Sequence, residues 1–176
     1  MRKIVLNLAI SLDGYISEID GDFDWIRGDG THELDTDQQF TMPEFIKNID
    51  IVVMGAKAYE DCGITDIADY QNKCFFVATT RPLKVEDNVE VISGDICSKI
   101  ESLKEEEGKD IWLFGGGGLT DGFIKNNIVD EYIIGIIPVI LGKGRQLFYG
   151  DHESIKLRLI ETTITEGIVI LRYVRR

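Results

Sequence analysis

The stretch Ile111-Trp112-Leu113-Phe114-Gly115-Gly116-Gly117-Gly118-Leu119-Thr120-Asp121 constrains this chain more than any other. Four apolar residues read as a buried strand. Four consecutive glycines follow at once, and then Leu119, Phe123 and Ile124 recur at helical spacing. A strand that turns through glycine into a helix leaves backbone N–H groups free to face an anion, with no Cβ in the way. A dinucleotide pyrophosphate is the usual occupant of such a turn. The same glycines without the flanking strand and helix would read as a flexible loop.

Around this stretch, strand and helix signals alternate along the chain. Strands are expected at Lys3–Ile10, Ile51–Met54, Cys74–Ala78, Val89–Ile92, Ile111–Phe114 and Tyr132–Pro138. A short helix within Asp37–Asn48 turns Phe40, Phe45 and Ile46 inward, and a helical turn begins over Lys57–Asp61. Ile96, Ile100 and Leu103 form one apolar stripe, with Asp95 as N-cap and Gly108 where a glycine ends a helix. A further helix runs from the glycines to about Lys125. Leu157–Thr165 and Ile168–Tyr173 flank Glu166-Gly167 and read as a hairpin. The alternation implies an α/β fold in three layers, with a mainly parallel central sheet and an antiparallel C-terminal hairpin. In such sheets ligands sit beyond the carboxyl ends of the strands. Those ends are Ala9-Ile10, Met54-Gly55, Ala78-Thr79-Thr80 and Phe114–Gly118.

Residues 11–35 are polar and rich in Gly and Asp, and a loop that long in a compact domain is functional or disordered. One domain over residues 1–176 is the expectation for this length. A hydrophobic content of 44% supports a sizeable core. No apolar run reaches the roughly 18 residues of a membrane span, and the N-terminus reads as a first strand of a cytoplasmic protein. The net charge of −12 argues against nucleic acid and anionic membranes as partners. An anionic ligand therefore needs local cations, and Lys57, Arg81, Lys143 and Arg145 lie in or near turns. Cys62, Cys74 and Cys97 are widely spaced, which signals neither a disulfide framework nor a zinc site, and no metal is expected.

Four segments in order resemble one family: Leu8–Ile16 with its Ser11-Leu12-Asp13-Gly14, Val53–Glu60, the glycine segment 111–123, and Val129–Phe148 with Pro138-Val139-Ile140-Leu141-Gly142-Lys143-Gly144. Together they resemble the dihydrofolate reductase fold, and more closely the reductase domain of the bifunctional riboflavin-pathway deaminase–reductase. The resemblance implies an NADPH-dependent reductase of a heterocyclic small molecule, with 5-amino-6-(5-phosphoribosylamino)uracil first among acceptors. It implies that Ala9 and Ile16 border the nicotinamide, and that residues 17–31 close over the cofactor. Gly55 and Lys57 would touch phosphates, with Thr79, Thr80 and Arg81 around the adenosine and its 2′-phosphate. Gly115, Gly116, Gly117, Gly118, Leu119 and Thr120 would receive the pyrophosphate, with a cis Gly–Gly bond at 115–116 or 116–117. Substrate would meet Asn7, Trp25 and Phe40.

The chain also departs from the family. It has Gly55-Ala56-Lys57-Ala58 where the family usually has G-R-x-T, so a bidentate arginine grip on phosphate is replaced by a lysine point charge. NADPH then rests on Lys57 and Arg81, and NADH stays open. Asn7 stands where riboflavin-pathway enzymes usually carry lysine, and the deaminase signatures H-x-E and P-C-x-x-C are missing.

Hydride transfer needs alignment, exclusion of water and a proton. A partly buried carboxyl would supply the proton, with Asp37 first, Glu33 second and Glu44 third. Asp13 reads better as a turn residue bonding local amides, and His32 as an exposed histidine without a role. A dihydrofolate- or pterin-type reductase, a nucleotide-binding module without turnover and a purely structural α/β protein are the alternatives. Apolar surface at Tyr132–Pro138 and the C-terminal hairpin predicts a homodimer.

Overall fold

Strand β3 (Ile49–Gly55) shows how the chain forms layers. Ile51 and Val53 pack into one hydrophobic core, while Val52 and Met54 pack into a second on the opposite face. β6 (Asp110–Gly115) divides the same way, with Ile111 and Leu113 on one side and Trp112 on the other. In β4 (Cys74–Ala78), Phe76 is separated from Phe75 and Val77. Successive side chains leave a strand on opposite faces, so an unbroken apolar run can bury both.

The computed structural model describes residues 1–64 and 70–176. Its main sheet has eight strands in the order β5–β4–β3–β6–β1–β7–β10–β9. These include β1 (Ile4–Ser11), β5 (Val89–Ile92), β7 (Glu131–Ile137), β9 (Leu157–Thr165) and β10 (Ile168–Arg175). β1 pairs parallel with β6 and β7, whereas β10 runs antiparallel to both its neighbours. A small second sheet joins β2 (Tyr15–Ser17) to β8 (Arg145–Gln146), and no helix among the described residues is long and apolar enough to cross a membrane.

On one face of the sheet, α3 (Ile96–Leu103) buries Ile96, Ile100 and Leu103, and α4 (Gly117–Lys125) buries Phe123. The Asp95 side chain caps α3 by accepting from the Ser98 amide at 3.1 Å. On the other face, α1 (Met42–Lys47) buries Ile46, and α2 (Ala56–Cys62) lays Ala58 and Tyr59 on the second core.

Three expectations are corrected. α3 ends at Leu103 rather than near Gly108, because the charged run Glu105–Glu107 supplies no apolar face for another turn. Gly108 serves the entry to β6, where a Cβ would lie 2.8 Å from Asp50 Oδ2. The described residues contain no cis peptide bond, and the glycine turn is instead made by positive φ at Gly115 (122°) and Gly116 (100°). β7 lies inside the sheet between β1 and β10, so Tyr132–Ile137 is not a free surface for a second subunit. The hairpin is as expected: Glu166 and Gly167 both have positive φ, the geometry of a two-residue turn matched to strand twist.

Candidate functional site

β3 and β6 end side by side, with Met54 paired to Gly115. Each strand runs into a helix through a glycine cap: Gly55 for α2 and Gly116 for α4, neither with a side-chain cap bond. The two caps approach closely, since a Cβ on Gly116 would lie 3.8 Å from the Gly55 nitrogen. Gly118 faces open space. The first turn of α4 therefore presents N–H groups without side-chain partners, beside a partial positive charge from the helix dipole. Two cations stand nearby. Lys57 Nζ lies 3.3 Å from Asp61 Oδ2, and Arg145 Nη1 lies 3.7 Å from the same oxygen. The arrangement can hold an anionic group.

These caps line one end of a cavity of about 900 Å³. Its floor is lined by Asn7 and Ala9 of β1, Gly135 and Ile137 of β7, Ile168 and Ile170 of β10 and Thr165 of β9, which the pairing of these four strands brings to one face. Asn7, Ala9 and Ser11 of β1 pair with Ile133, Gly135 and Ile137 of β7. On β10 and β9, Ile168 pairs with Thr165, Ile170 with Thr163, and Arg172 with Glu161. Ala9 pairs with Gly135 there, which keeps the floor low; a Cβ on Gly135 would lie 3.8 Å from Ile168 Cγ2 and 3.9 Å from Ala9 Cα, at ordinary contact distance. Trp112, Phe114, Phe40 and Met42 wall the far end. Asn7 is 7% exposed there, and among the described residues its amide nitrogen reaches only the Met42 sulfur, at 3.7 Å.

The segment between β2 and α1 covers this floor. At its near end, Arg145 Nη2 donates to the Ile19 carbonyl at 3.0 Å. At its far end it is tied to the β9–β10 turn. The Asp29 amide donates to the Glu166 carbonyl at 2.8 Å, and the Glu166 amide donates to Asp35 at 2.7 Å. His32 Nδ1 lies 2.8 Å from Asp35 Oδ2. The hydrogen bond to Asp35 raises the His32 pKa, and the same bond lowers that of Asp35. His32, expected to have no role, thus belongs to the tie.

Of the residues expected at the site, the structure brings Asn7, Ala9, Ile16, Phe40, Gly55, Lys57, Gly116, Gly117, Gly118 and Leu119 to the cavity. Gly115 ends β6 just before it. Thr120 is fully buried in α4, and its hydroxyl has no hydrogen-bond partner among the described residues. Thr79, Thr80 and Arg81 follow β4, whose Ala78 pairs with Gly55, and they stand beside the cavity rather than in it. Arg81 is ion-paired with Glu60.

Trp25 is a correction: Phe23 and Ile26 line the cavity, and Trp25 between them does not. Asp37 and Glu33 are a second one. Both are exposed and neither lines the cavity, because the loop that carries them turns toward the β9–β10 hairpin. Glu44 is likewise exposed, on α1. Asp13 accepts from the Ser11 hydroxyl at 2.6 Å within its own turn and from the Leu141 and Gly142 amides at 3.1 and 2.7 Å, so it also ties that turn to a distant loop. Sequence reasoning missed Gly135, Ile168, Ile170, Thr165, Met42 and Tyr149 as lining residues. Gly135 alone carried a signal, as a glycine interrupting an apolar strand. Cys62 also lines the cavity, and burial pushes its thiol pKa up, which favours the thiol over the thiolate.

Known proteins share this architecture. "Uncharacterized protein YwjB" of Bacillus subtilis is 36% identical over 99% of this chain and 98% of its own length. A protein of Shewanella sp. PV-4 named for riboflavin biosynthesis superposes with a TM-score of 0.80 at 25% identity, over 100% of this chain and 99% of that one. The diaminohydroxyphosphoribosylaminopyrimidine deaminase/5-amino-6-(5-phosphoribosylamino)uracil reductase of Thermotoga maritima superposes with a TM-score of 0.71 at 17% identity, over 99% of this chain and 57% of that one. Dihydrofolate reductase of Enterococcus faecalis, complexed with NADP(H) and RAB-propyl, superposes with a TM-score of 0.65 at 16% identity, over 99% of this chain and 96% of that one. These likenesses place the fold with the dihydrofolate reductases, as the resemblance in the sequence implied. The pattern of the RibD C-terminal domain matches residues 61–170, more than half of the chain, and the chain belongs to that family.

Proposed function

We propose that this chain is an NADPH-dependent reductase of a heterocyclic small molecule. The observation that carries the proposal is the continuity of one cavity. It runs from two glycine-capped helix starts, across a floor of small residues at Ala9 and Gly135, to an aromatic end holding a buried amide.

The residues present fit a dinucleotide. The α4 N-terminus lacks a side-chain cap and Gly118 leaves room beside it, which suits a pyrophosphate. Lys57 and Arg145 supply positive charge on the same side. The adenosine half would lie along the carboxyl ends of β3 and β4, toward Thr79, Thr80 and Arg81. NADPH supplies a hydride when bound.

The chain does the rest. Ala9 and Gly135 give a planar ring a surface to lie on. Phe23 and Ile26 of the covering segment keep water from it. Phe40, Met42 and Trp112 hold the acceptor ring, with Asn7 offering an amide donor and acceptor to its polar edge. Among the described residues the one carboxylate in this cavity is Asp61, which is paired at the phosphate end. We assign the proton to water at the substrate end rather than to Asp37 or Glu33, neither of which lines the cavity.

Titration with NADPH and, separately, NADH, followed by nicotinamide fluorescence, tests the proposal. Binding of NADPH, then its oxidation by a panel of pterins and aminouracils, is the expected result. Binding of NADPH without oxidation by any acceptor would favour a nucleotide-binding module. No binding of either dinucleotide would defeat the reductase reading.

A further inference from the structure

The main cavity is charged at one end only. Among the described residues its cations are Lys57 and Arg145, which stand at the glycine caps and share Asp61. At the other end Phe40, Met42, Ile64, Trp112 and Phe114 surround Asn7, and no charged side chain among the described residues lines the wall. Residues 65–69 lie outside the described residues, and their sequence holds no lysine, arginine or histidine. Past Phe40 and Ile170 the adjoining cavity is lined by Arg172 and Lys109, and both are engaged. Arg172 is held by Glu131 and Glu161, and Lys109 Nζ donates to the Lys47 carbonyl at 2.6 Å. A second observation is independent of charge. Asn7 is 7% exposed, and its amide nitrogen spends one N–H on the Met42 sulfur, a weak acceptor. Its side-chain oxygen has no hydrogen-bond partner among the described residues, yet it is not sealed from solvent, so it opens on the cavity that Asn7 lines. A buried amide left half-paired between apolar walls points to a ligand group that completes it.

We propose that Asn7 selects an uncharged heterocyclic lactam, a ring that presents an N–H beside a C=O, and that this substrate carries no phosphate. The proposal rests on the reductase reading and deepens it by naming the class of acceptor. A carboxamide offers an acceptor oxygen and a donor N–H side by side, so it pairs with a lactam edge through two hydrogen bonds. A ring whose N–H is blocked would leave the Asn7 oxygen dry and unpaired, which costs more than one lost contact. A phosphate at this end would give up its water to apolar walls, with no cation to replace it. The cations of this cavity stand at its opposite end, where the dinucleotide needs them.

The test uses 6-hydroxymethyl-4-oxo-3H-pteridine, its N3-methyl derivative and its phosphate ester, at a pH where the lactam is uncharged. A second pair is 5-amino-6-(5-phosphoribosylamino)uracil and its dephosphorylated form. Each compound is titrated calorimetrically into the free protein and into protein loaded with NADP+. The free lactam is expected to bind about tenfold tighter than its N-methyl derivative and about tenfold tighter than its phosphate ester. The dephosphorylated aminouracil is likewise expected to bind tighter than its phosphate. In Asn7→Leu and in the smaller Asn7→Ala, with NADP+ uptake as the check on folding, the preference for lactam over N-methyl lactam is expected to fall to about threefold or less. Equal or tighter binding of the phosphate in either pair overturns the proposal. So does equal binding of the N-methyl lactam, or a preference undiminished in both variants. The failure of every compound to bind protein that takes up NADP+ overturns it as well. Failure of the unaltered protein to take up NADP+ would count against the reductase reading instead, while the titrations of the free protein would still decide the role of Asn7.

Discussion

The indole N–H of Trp112 donates to the backbone carbonyl of Asn7 at 2.9 Å, deep in the sheet. The last ladder pair between β1 and β6 joins Leu6 to Leu113, so the indole takes over one residue beyond, where backbone pairing stops. It fixes the strand position from which the Asn7 amide meets the cavity. Phe45 packs edge-on against the same ring at 5.3 Å between centroids. Trp112→Phe keeps an aromatic ring and removes the donor. Leaving that carbonyl unpaired is expected to cost about 1–3 kcal/mol, read as a lower denaturant midpoint with unchanged slope. Acceptor binding is expected to weaken more than NADPH binding.

The glycines of the turn are not equivalent. Gly116 has φ 100°, so Gly116→Ala forces a side chain into a left-handed backbone and toward Gly55. A loss of about 1–2 kcal/mol in stability and about tenfold or more in NADPH affinity is expected. Gly118 lies inside α4 facing open space. Gly118→Ala is expected to raise the thermal midpoint, by a gain of about 0.5–1 kcal/mol. Equal effects of the two substitutions in a melt would refute the assignment.

The tie between the covering segment and the β9–β10 turn is pH-dependent. His32 has a raised pKa when folded, chiefly through its hydrogen bond to Asp35. Its contribution is fully present below the ordinary 6.5 and is lost as pH rises through the raised folded value. Asp35 is shifted down by the same bond, so its contribution is lost as pH falls from the ordinary 3.8 through the lowered folded value. Amide exchange at Asp29, Thr36 and Glu166, corrected for intrinsic rate, is expected to be slowest between these limits. His32→Gln is expected to abolish the step on the alkaline side. Both groups are exposed and screened, so the effect belongs to this local tie rather than to global stability.

Glu131 is 2% exposed and takes charge-assisted contacts from Arg172 and from Lys3, the latter at 3.2 Å. Glu131→Ala leaves Arg172 without its inner partner. Because Arg172 is partly exposed, the expected cost is about 1–3 kcal/mol in urea unfolding, below that of a fully buried pair. Glu131→Gln, which keeps an acceptor, is expected to cost less.

Strands with continuous apolar runs, the α3 stripe with its Asp95 cap and the Glu166-Gly167 hairpin were all legible in the sequence, because each is a local pattern with a local cause. The glycine turn was legible for the same reason. Trp25 against Phe23 and Ile26 was not: in a loop without periodicity nothing says which side chain faces inward. Arg81 read as a free cation because its partner Glu60 is 21 positions away. Asp37 and Glu33 were placed by order along the chain, whereas their exposure follows from a tie to a hairpin more than a hundred residues downstream. β2 and β8 are three and two residues long, too short to show a period.

The position of β1 in the middle of the sheet has a consequence in time. Ile4 pairs with Ile111 and Val5 with Glu131, so the strand at the centre of the molecule finds its partners more than a hundred residues further on. Closing such loops comes before any reward from contact, and folding dominated by distant parallel pairing is slow, on the order of milliseconds to seconds. Throughout that interval the run Ile4–Ile10 waits with both faces uncovered. Chaperone holding, or aggregation where none is at hand, should act on this segment first.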